Sequence, residues 1–238
     1  EIAALAQIIH GGTGELNLQT DTGNLTNRNL DTAQPALVGG GEIRLVLEQG
    51  LTVVGGTHMP VSAPRFSASI GTGNLRLRFM ASAQVASRSA FIRAGGIGNI
   101  NFIVQNGNFT FANNATLENR GSGNLVVNVL AGTFVMLQNN NVIGTTGVVD
   151  LRARDLMQLG LVRSLGTATR LESVLGDIRA ASGTSFNFQA ASAAAHTPEI
   201  FASAGRVVQL NLDIANARLN GELLFRGVNP FLVINQTI

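Results

Sequence analysis

Gly96-Ile97-Gly98-Asn99-Ile100-Asn101-Phe102 is followed, 25 residues on, by Gly121-Ser122-Gly123-Asn124-Leu125-Val126-Val127. Both stretches carry two glycines around a single residue, an Asn, and then apolar side chains at every second position. The phrase recurs upstream as Gly71-Thr72-Gly73-Asn74-Leu75-Arg76-Leu77, as Gly39-Gly40-Gly41-Glu42-Ile43-Arg44-Leu45 and as Gly12-Thr13-Gly14-Glu15-Leu16-Asn17-Leu18. Successive first glycines stand 27, 32, 25 and 25 residues apart. A period of this size, kept through five copies, marks a repeat architecture in which each unit buries its apolar face only by stacking on the next.

The alternation says what each unit is. Side chains along a strand point to opposite faces with a period of two. Leu16, Ile43, Leu75, Ile100 and Leu125 therefore fall in one inward column, with Leu18, Leu45, Leu77, Phe102 and Val127 two residues further on. Thr20, Leu47, Phe79, Val104 and Val129 form a third, and Asn17, Arg44, Arg76, Asn101 and Val126 lie between them, facing out. Eleven residues past the first glycine comes a second landmark, Gly23, Gly50, Gly107 and Gly132, with Ser82 as the exception. Strand-like residues follow it, and a third apolar segment (Phe91-Ile92, Leu117, Val142-Ile143) closes the unit. Three short strands and glycine corners predict an all-β chain folded as a parallel β-helix (a β-solenoid) with coils of about 25 residues. A β-sandwich is the alternative, but its strands need no constant repeat or fixed landmark. Asn74, Asn99 and Asn124 share a corner column, where amides stack from coil to coil or simply tolerate left-handed geometry.

Composition agrees. Hydrophobic residues make up 45% of the chain, aromatics 5%, all of them Phe, so the core is aliphatic. There are 28 Gly and only 5 Pro, which favours tight turns over a disordered linker. All 16 basic residues are Arg, and with no Lys, Tyr or Cys to titrate the formal charge of +2 persists to high pH. So small a surplus, without a basic run, excludes nucleic acid as an expected partner. The absence of Cys excludes disulfides and thiol chemistry, and no run of 18 apolar residues provides a transmembrane helix. A transmembrane barrel is disfavoured by the missing Trp and Tyr. A start at Glu1 with no leader is expected of a mature product or a fragment.

The organisation reads as an N-terminal cap or assembly segment (1–11), a regular β-solenoid (12–146) and a degenerate β-solenoid with inserted loops (147–238). Gly147 to Ala153 keeps the phase, and Leu175–Ala180, Ser185–Phe188 and Val207–Leu212 still read as strands. Residues 154–175 offer a possible small helical insertion in this C-terminal half, since Leu156, Leu159 and Val162 have helical spacing. Ala190–Ala204 reads as a loop or short helix.

Coils of this length with Gly-Asn-Leu-x-Val phrases, and stretches such as Gly147–Arg154 and Leu175–Ala181, resemble filamentous-haemagglutinin-type adhesins and autotransporter passenger domains. The resemblance implies a right-handed parallel β-helix secreted across a bacterial outer membrane, hence an extracellular or outer-cell-surface location. Asn229-Pro230-Phe231-Leu232 matches those adhesins' Asn-Pro motifs only in part and at the opposite end of the chain, so no secretion-signal role follows.

The expected function is structural or adhesive, a rigid rod or filament subunit, with no enzyme activity and no cofactor. Partners are further copies of the chain, joined through Glu1–His10 and Phe231–Ile238, and a host glycan or surface receptor. The candidate binding residues are Arg44, Arg76 and Arg78. Arg44 and Arg76 share an outward column, which in adjacent coils forms a small cationic ladder for an anionic glycan or a neighbouring subunit, while Glu42 and ordinary solvation offer the plainer account. Exposed Val46, Ile103 and Val126 suggest an interface. One alternative function is a carbohydrate-acting phage tailspike or polysaccharide lyase, using the segment Asp150-Leu151-Arg152-Ala153-Arg154-Asp155. That chemistry needs a positioned carboxylate pair, and sugar binding favours aromatic platforms that this chain lacks. Another is a surface-layer or capsid shell subunit. His10, His58 and His196 lack ligand-like neighbours in sequence and read as loop or surface residues, and no Asp-rich calcium repeat is present.

Overall fold

The structure is a computed structural model that describes residues 1–3, 6–28, 33–54, 56–144, 146–164, 168–184, 187, 196–197, 199–210, 218–219 and 223–226. It is a parallel β-solenoid of about seven turns. Its first sheet has ten strands, running from Ile8–His10 through Leu37–Gly39, Met59–Ser62, Leu75–Phe79, Ile100–Val104, Leu125–Val129, Val149–Ala153, Ala168–Ser173 and Glu199–Ala204 to Leu223–Arg226. The second, of twelve, starts with Glu15–Thr20, Glu42–Leu47 and Arg65–Ile70 and reaches the ten-residue strand Ala83–Ile92. There it forks. The start of Ala83–Ile92 pairs with Phe109–Phe111 and its end with Thr116–Asn119. Phe134–Val135, Met157–Leu159, Ile178–Ala180 and Val208–Gln209 continue the first branch, and Asn141–Gly144 and Leu161–Ser164 the second.

The expected columns stand over one another in the centre of the rod. Leu75 pairs with Ile100 and Ile100 with Leu125, while Leu77, Phe102 and Val127 do the same two residues on. All are buried. Phenylalanines from both sheets meet across this interior, with Phe66 and Phe79 ring centres 4.6 Å apart and Phe109 stacked on Phe134 at 5.7 Å. Offset and edge-on contacts of this kind stabilise beyond the burial of area alone.

The five glycine phrases do not all lie at one corner, however. Leu16 pairs with Ile43, but the next partner of Ile43 is Phe66 in the second sheet, whereas Leu75 belongs to the first. Backbone bonds from Leu25 N–H to Gly50 O and from Leu51 N–H to Asn74 O put Gly23 and Gly50 at the corner that Gly73, Gly98 and Gly123 continue. The 32-residue step is thus one coil plus a change of corner. Both corners demand the same glycine-then-strand chemistry, so the phrase alone does not distinguish them. In the early coils the first-sheet side is divided into two short strands per coil, Leu25–Asn27 and Leu37–Gly39, then Leu51–Val53 and Met59–Ser62.

The possible helix over 154–175 is instead three strands, Met157–Leu159, Leu161–Ser164 and Ala168–Ser173. Leu159 and Val162 are both fully buried although three residues apart, because a corner at Gly160 intervenes. A Cβ on Gly160 would run into the carbonyls of Leu137 and Asn140, so the corner requires Gly, and the bend shifts the alternation by one residue in imitation of a helical period. Glu199–Ala204 is likewise a strand rather than part of a loop or helix. Residues 185–186, 188–195, 229–232 and the 231–238 segment lie outside the described residues.

Polar ladders run along the corners. Asn74 Oδ1 accepts from Asn99 N–H at 3.0 Å, Asn99 Oδ1 from Asn124 N–H at 2.8 Å, and Asn124 Oδ1 from Val148 N–H at 2.9 Å. Ser82, Asn108 and Thr133 form a second ladder. Asn99→Ala removes one rung; we expect a loss of about 1 kcal/mol in urea unfolding, with no loss if the column is favoured only for its backbone geometry.

Candidate functional site

Arg44, Arg76 and Arg78 all point outward, but the first is not beside the others. Arg44 lies in the second sheet between Asn17 and Ser67. Arg76 and Arg78 lie in the first, paired with Asn101 and Ile103. The expected Arg44–Arg76 ladder is therefore absent, a consequence of the change of corner between these coils. Arg44 borders a hollow of about 320 Å³ with Arg88, Ser67, Ser69 and Ser89. Glu15 forms ion pairs with both arginines, at 3.7 Å with Arg44, so this hollow carries its own counter-charge.

Arg76 and Arg78 differ. Among the described residues neither has a carboxylate partner, and both are half-buried. On one side of them stand Asn101 and Ile103. On the other, Met59 pairs with Leu77 and Pro60 with Arg78, which sets His58 opposite Arg76. Facing strands are about 4.8 Å apart. His58 is only 9% exposed, its Nδ1 is 2.8 Å from Thr57 Oγ1, and its Nε2 is buried with no hydrogen-bond partner. Burial lowers its pKa below the ordinary histidine value; a hydrogen-bonding contact with the Asn101 side chain, looser than a normal hydrogen bond, acts in the opposite sense, and the Arg78 and Arg76 charges lower it further. His58 was invisible as a site residue in sequence, because the stretch between Val53 and Met59 hides its place at the head of the Met59-Pro60-Val61 alternation. That alternation, with Met59 and Val61 buried, was the available signal.

Further along, Asp150 is held by Arg152 through two bonds of 3.0 and 3.1 Å, and Arg152 also approaches Glu172 at 3.7 Å. Asp150, Arg152 and Arg154 do share the outer side, as the alternation requires, but the carboxylate that a glycan-cleaving site would use is already engaged. A groove of about 520 Å³ opens beside them, where Leu130, Val174 and Leu175 are exposed around Arg154. Val126 and Ile103 face outward in the first sheet and Val46 in the second; all three are half-buried. Among the described residues, no group of three or more His, Asp or Glu is placed to hold a metal ion and no helix is long and apolar enough to cross a membrane. No family model, curated protein or solved structure matches the chain.

Proposed function

We propose that this chain is a length of rigid rod from a secreted, surface-displayed structural or adhesive protein of the filamentous-haemagglutinin or autotransporter-passenger kind. The observation that carries the reading is the unbroken coil-to-coil pairing from Ile8–His10 to Leu223–Arg226. Each coil is tied to the next by backbone bonds, Asn ladders and interlocked side chains, which gives stiffness along the axis rather than a hinge or cleft. The outer carboxylates support the same reading. Glu48, Glu118, Asp150 and Asp177, like Glu15, are held by arginines, an arrangement suited to a solvated wall and poorly suited to acid–base chemistry.

Self-association follows from the ends. Among the described residues Glu15–Thr20 pairs only with Glu42–Leu47, and an unpaired strand edge is a template for a further strand. Leu16 and Leu18, buried columns elsewhere, are only partly covered there. The test is antibody labelling of intact source cells together with a glycan-degradation screen of the purified chain. Labelling of unpermeabilised cells and no released sugar are expected. Labelling confined to lysed cells, or a glycan-cleaving activity that Asp150→Asn abolishes without unfolding the chain, would overturn the reading.

A further inference from the structure

We propose that Arg76, Arg78, Asn101 and His58 form a binding site for an oxyanion group, a sulfate, phosphate or carboxylate, on the outer face of the first sheet. The inference stands whether or not the rod is displayed on a cell. Its geometry comes from register: His58 opposite Arg76, Asn101 on the other flank of Arg76, and Arg78 two residues along on the same face. The arginines and Asn101 can donate, and His58 adds an Nε2–H donor when its ring is protonated. Two guanidinium groups offer planar forks that match the oxygens of an oxyanion, and Asn101 offers an amide.

Two independent features point to a missing acceptor. Arg44 and Arg88 find a carboxylate in Glu15 and Arg93 in Glu48; Arg76 and Arg78, side by side on one strand, have none among the described residues. The buried Nε2 of His58 also makes no hydrogen bond of normal geometry; the Asn101 side chain reaches the ring only loosely, and an incoming oxyanion would complete its bonding. Thr57 Oγ1 already serves Nδ1, so a protonated ring would direct its Nε2–H at the incoming group.

The charges acting on the ring from the facing strand are Arg78 and Arg76, both cationic, and no described carboxylate offsets them. Burial first, and then these charges, disfavour the protonated form of the histidine in the empty site. A bound oxyanion reverses that balance, so binding and proton uptake favour each other, and by linkage the affinity rises as pH falls. Arginine alone would leave the affinity for sulfate independent of pH, since its charge is constant over this range.

The test is a histidine proton-NMR titration of the purified chain with sodium sulfate against sodium chloride at equal ionic strength, from pH 5 to 7.5, with His58→Asn identifying the resonance. We expect a saturable His58 shift with sulfate only, a His58 pKa raised by sulfate, and an affinity that climbs towards tenfold per pH unit where the empty and occupied sites differ in protonation. Arg76→Gln and Arg78→Gln, folded by circular dichroism, should each weaken sulfate by about tenfold. Tighter binding of a sulfated or carboxylated oligosaccharide than of the free ion would assign the group to a glycan, and equal binding to a free anion. An identical shift with chloride, or unchanged affinity in both folded arginine variants, would overturn the site.

Discussion

Gly98→Ala is expected to be among the most damaging single-methyl changes available to this protein. Gly98 has φ of +139°, a region that side chains with a Cβ rarely adopt, and the new methyl would point into the carbonyl of Gly73 in the coil below. Backbone strain of about 1–3 kcal/mol adds to overpacking of about 1–3 kcal/mol, a loss of roughly 4 kcal/mol in all. Because coils are coupled mainly to their neighbours, the damage should be local: hydrogen exchange would quicken across residues 71–77 and 96–102 before the rest of the rod. Ser122→Ala, between glycines of the same corner but at an exposed position, should change stability by less than about 0.5 kcal/mol. Equal urea midpoints for the two variants would show that the corner relaxes and that close axial approach is not what requires glycine.

The second large effect belongs to Asn119. It is fully buried, donates through Nδ2 to Gly98 O at 3.1 Å and Asn124 O at 3.3 Å, and accepts from Gly121 N–H at 3.0 Å. One side chain thereby fastens a strand end to the corner of its own coil and to the coil below. Asn119→Asp keeps the shape but replaces the two-carbonyl donor by an anion facing those same carbonyls. A buried charge left without a partner costs about 3–5 kcal/mol, and we expect a loss in that range at pH 8. The sign of the pH dependence follows. Burial among carbonyls raises the folded-state pKa of the new carboxyl above its unfolded value, so the folded form retains a proton that the unfolded form has released. The penalty should therefore shrink as pH falls towards 4, when the neutral acid regains an O–H donor. A variant whose unfolding midpoint is flat between pH 4 and 8 relative to the parent would show that Asn119 is not a sealed pin.

These residues show how much was legible in the chain itself. Leu75, Ile100 and Leu125 announced their stacking because period-two burial and a constant 25-residue step are both visible in one dimension. The Asn74–Asn99–Asn124 column was legible for the same reason. The fork at Ala83–Ile92 was not, since it depends on four residues, Ala86–Ser89, being set aside where the register against Arg65–Ile70 shifts between Val85 and Ala90. Nor was the corner at Gly160, where a bend and a helix leave the same spacing of apolar residues. For the site, the outward direction of Arg76 and Arg78 was readable, and their separation from Arg44 was not, because it follows from the same hidden change of corner. His58 joins them only because a loop returns the chain to the sheet at Met59, a three-dimensional fact with a faint trace in sequence.

The coil from Gly96 to Arg120 touches matching chemistry above and below. Excising it would lay Leu125 over Leu75, Asn124 over Asn74 and Phe134 over Ala83, with both branches of the fork re-engaged by Phe134–Val135 and Asn141–Gly144. No comparable cut is open at Ala83–Ile92, the one described strand that fits a straight side on one flank and a bent side on the other. Gain or loss of a whole coil on the C-terminal flank of that junction would thus leave strands that can pair again, whereas a cut across it would not, which makes overall length the adjustable feature and the junction the fixed one.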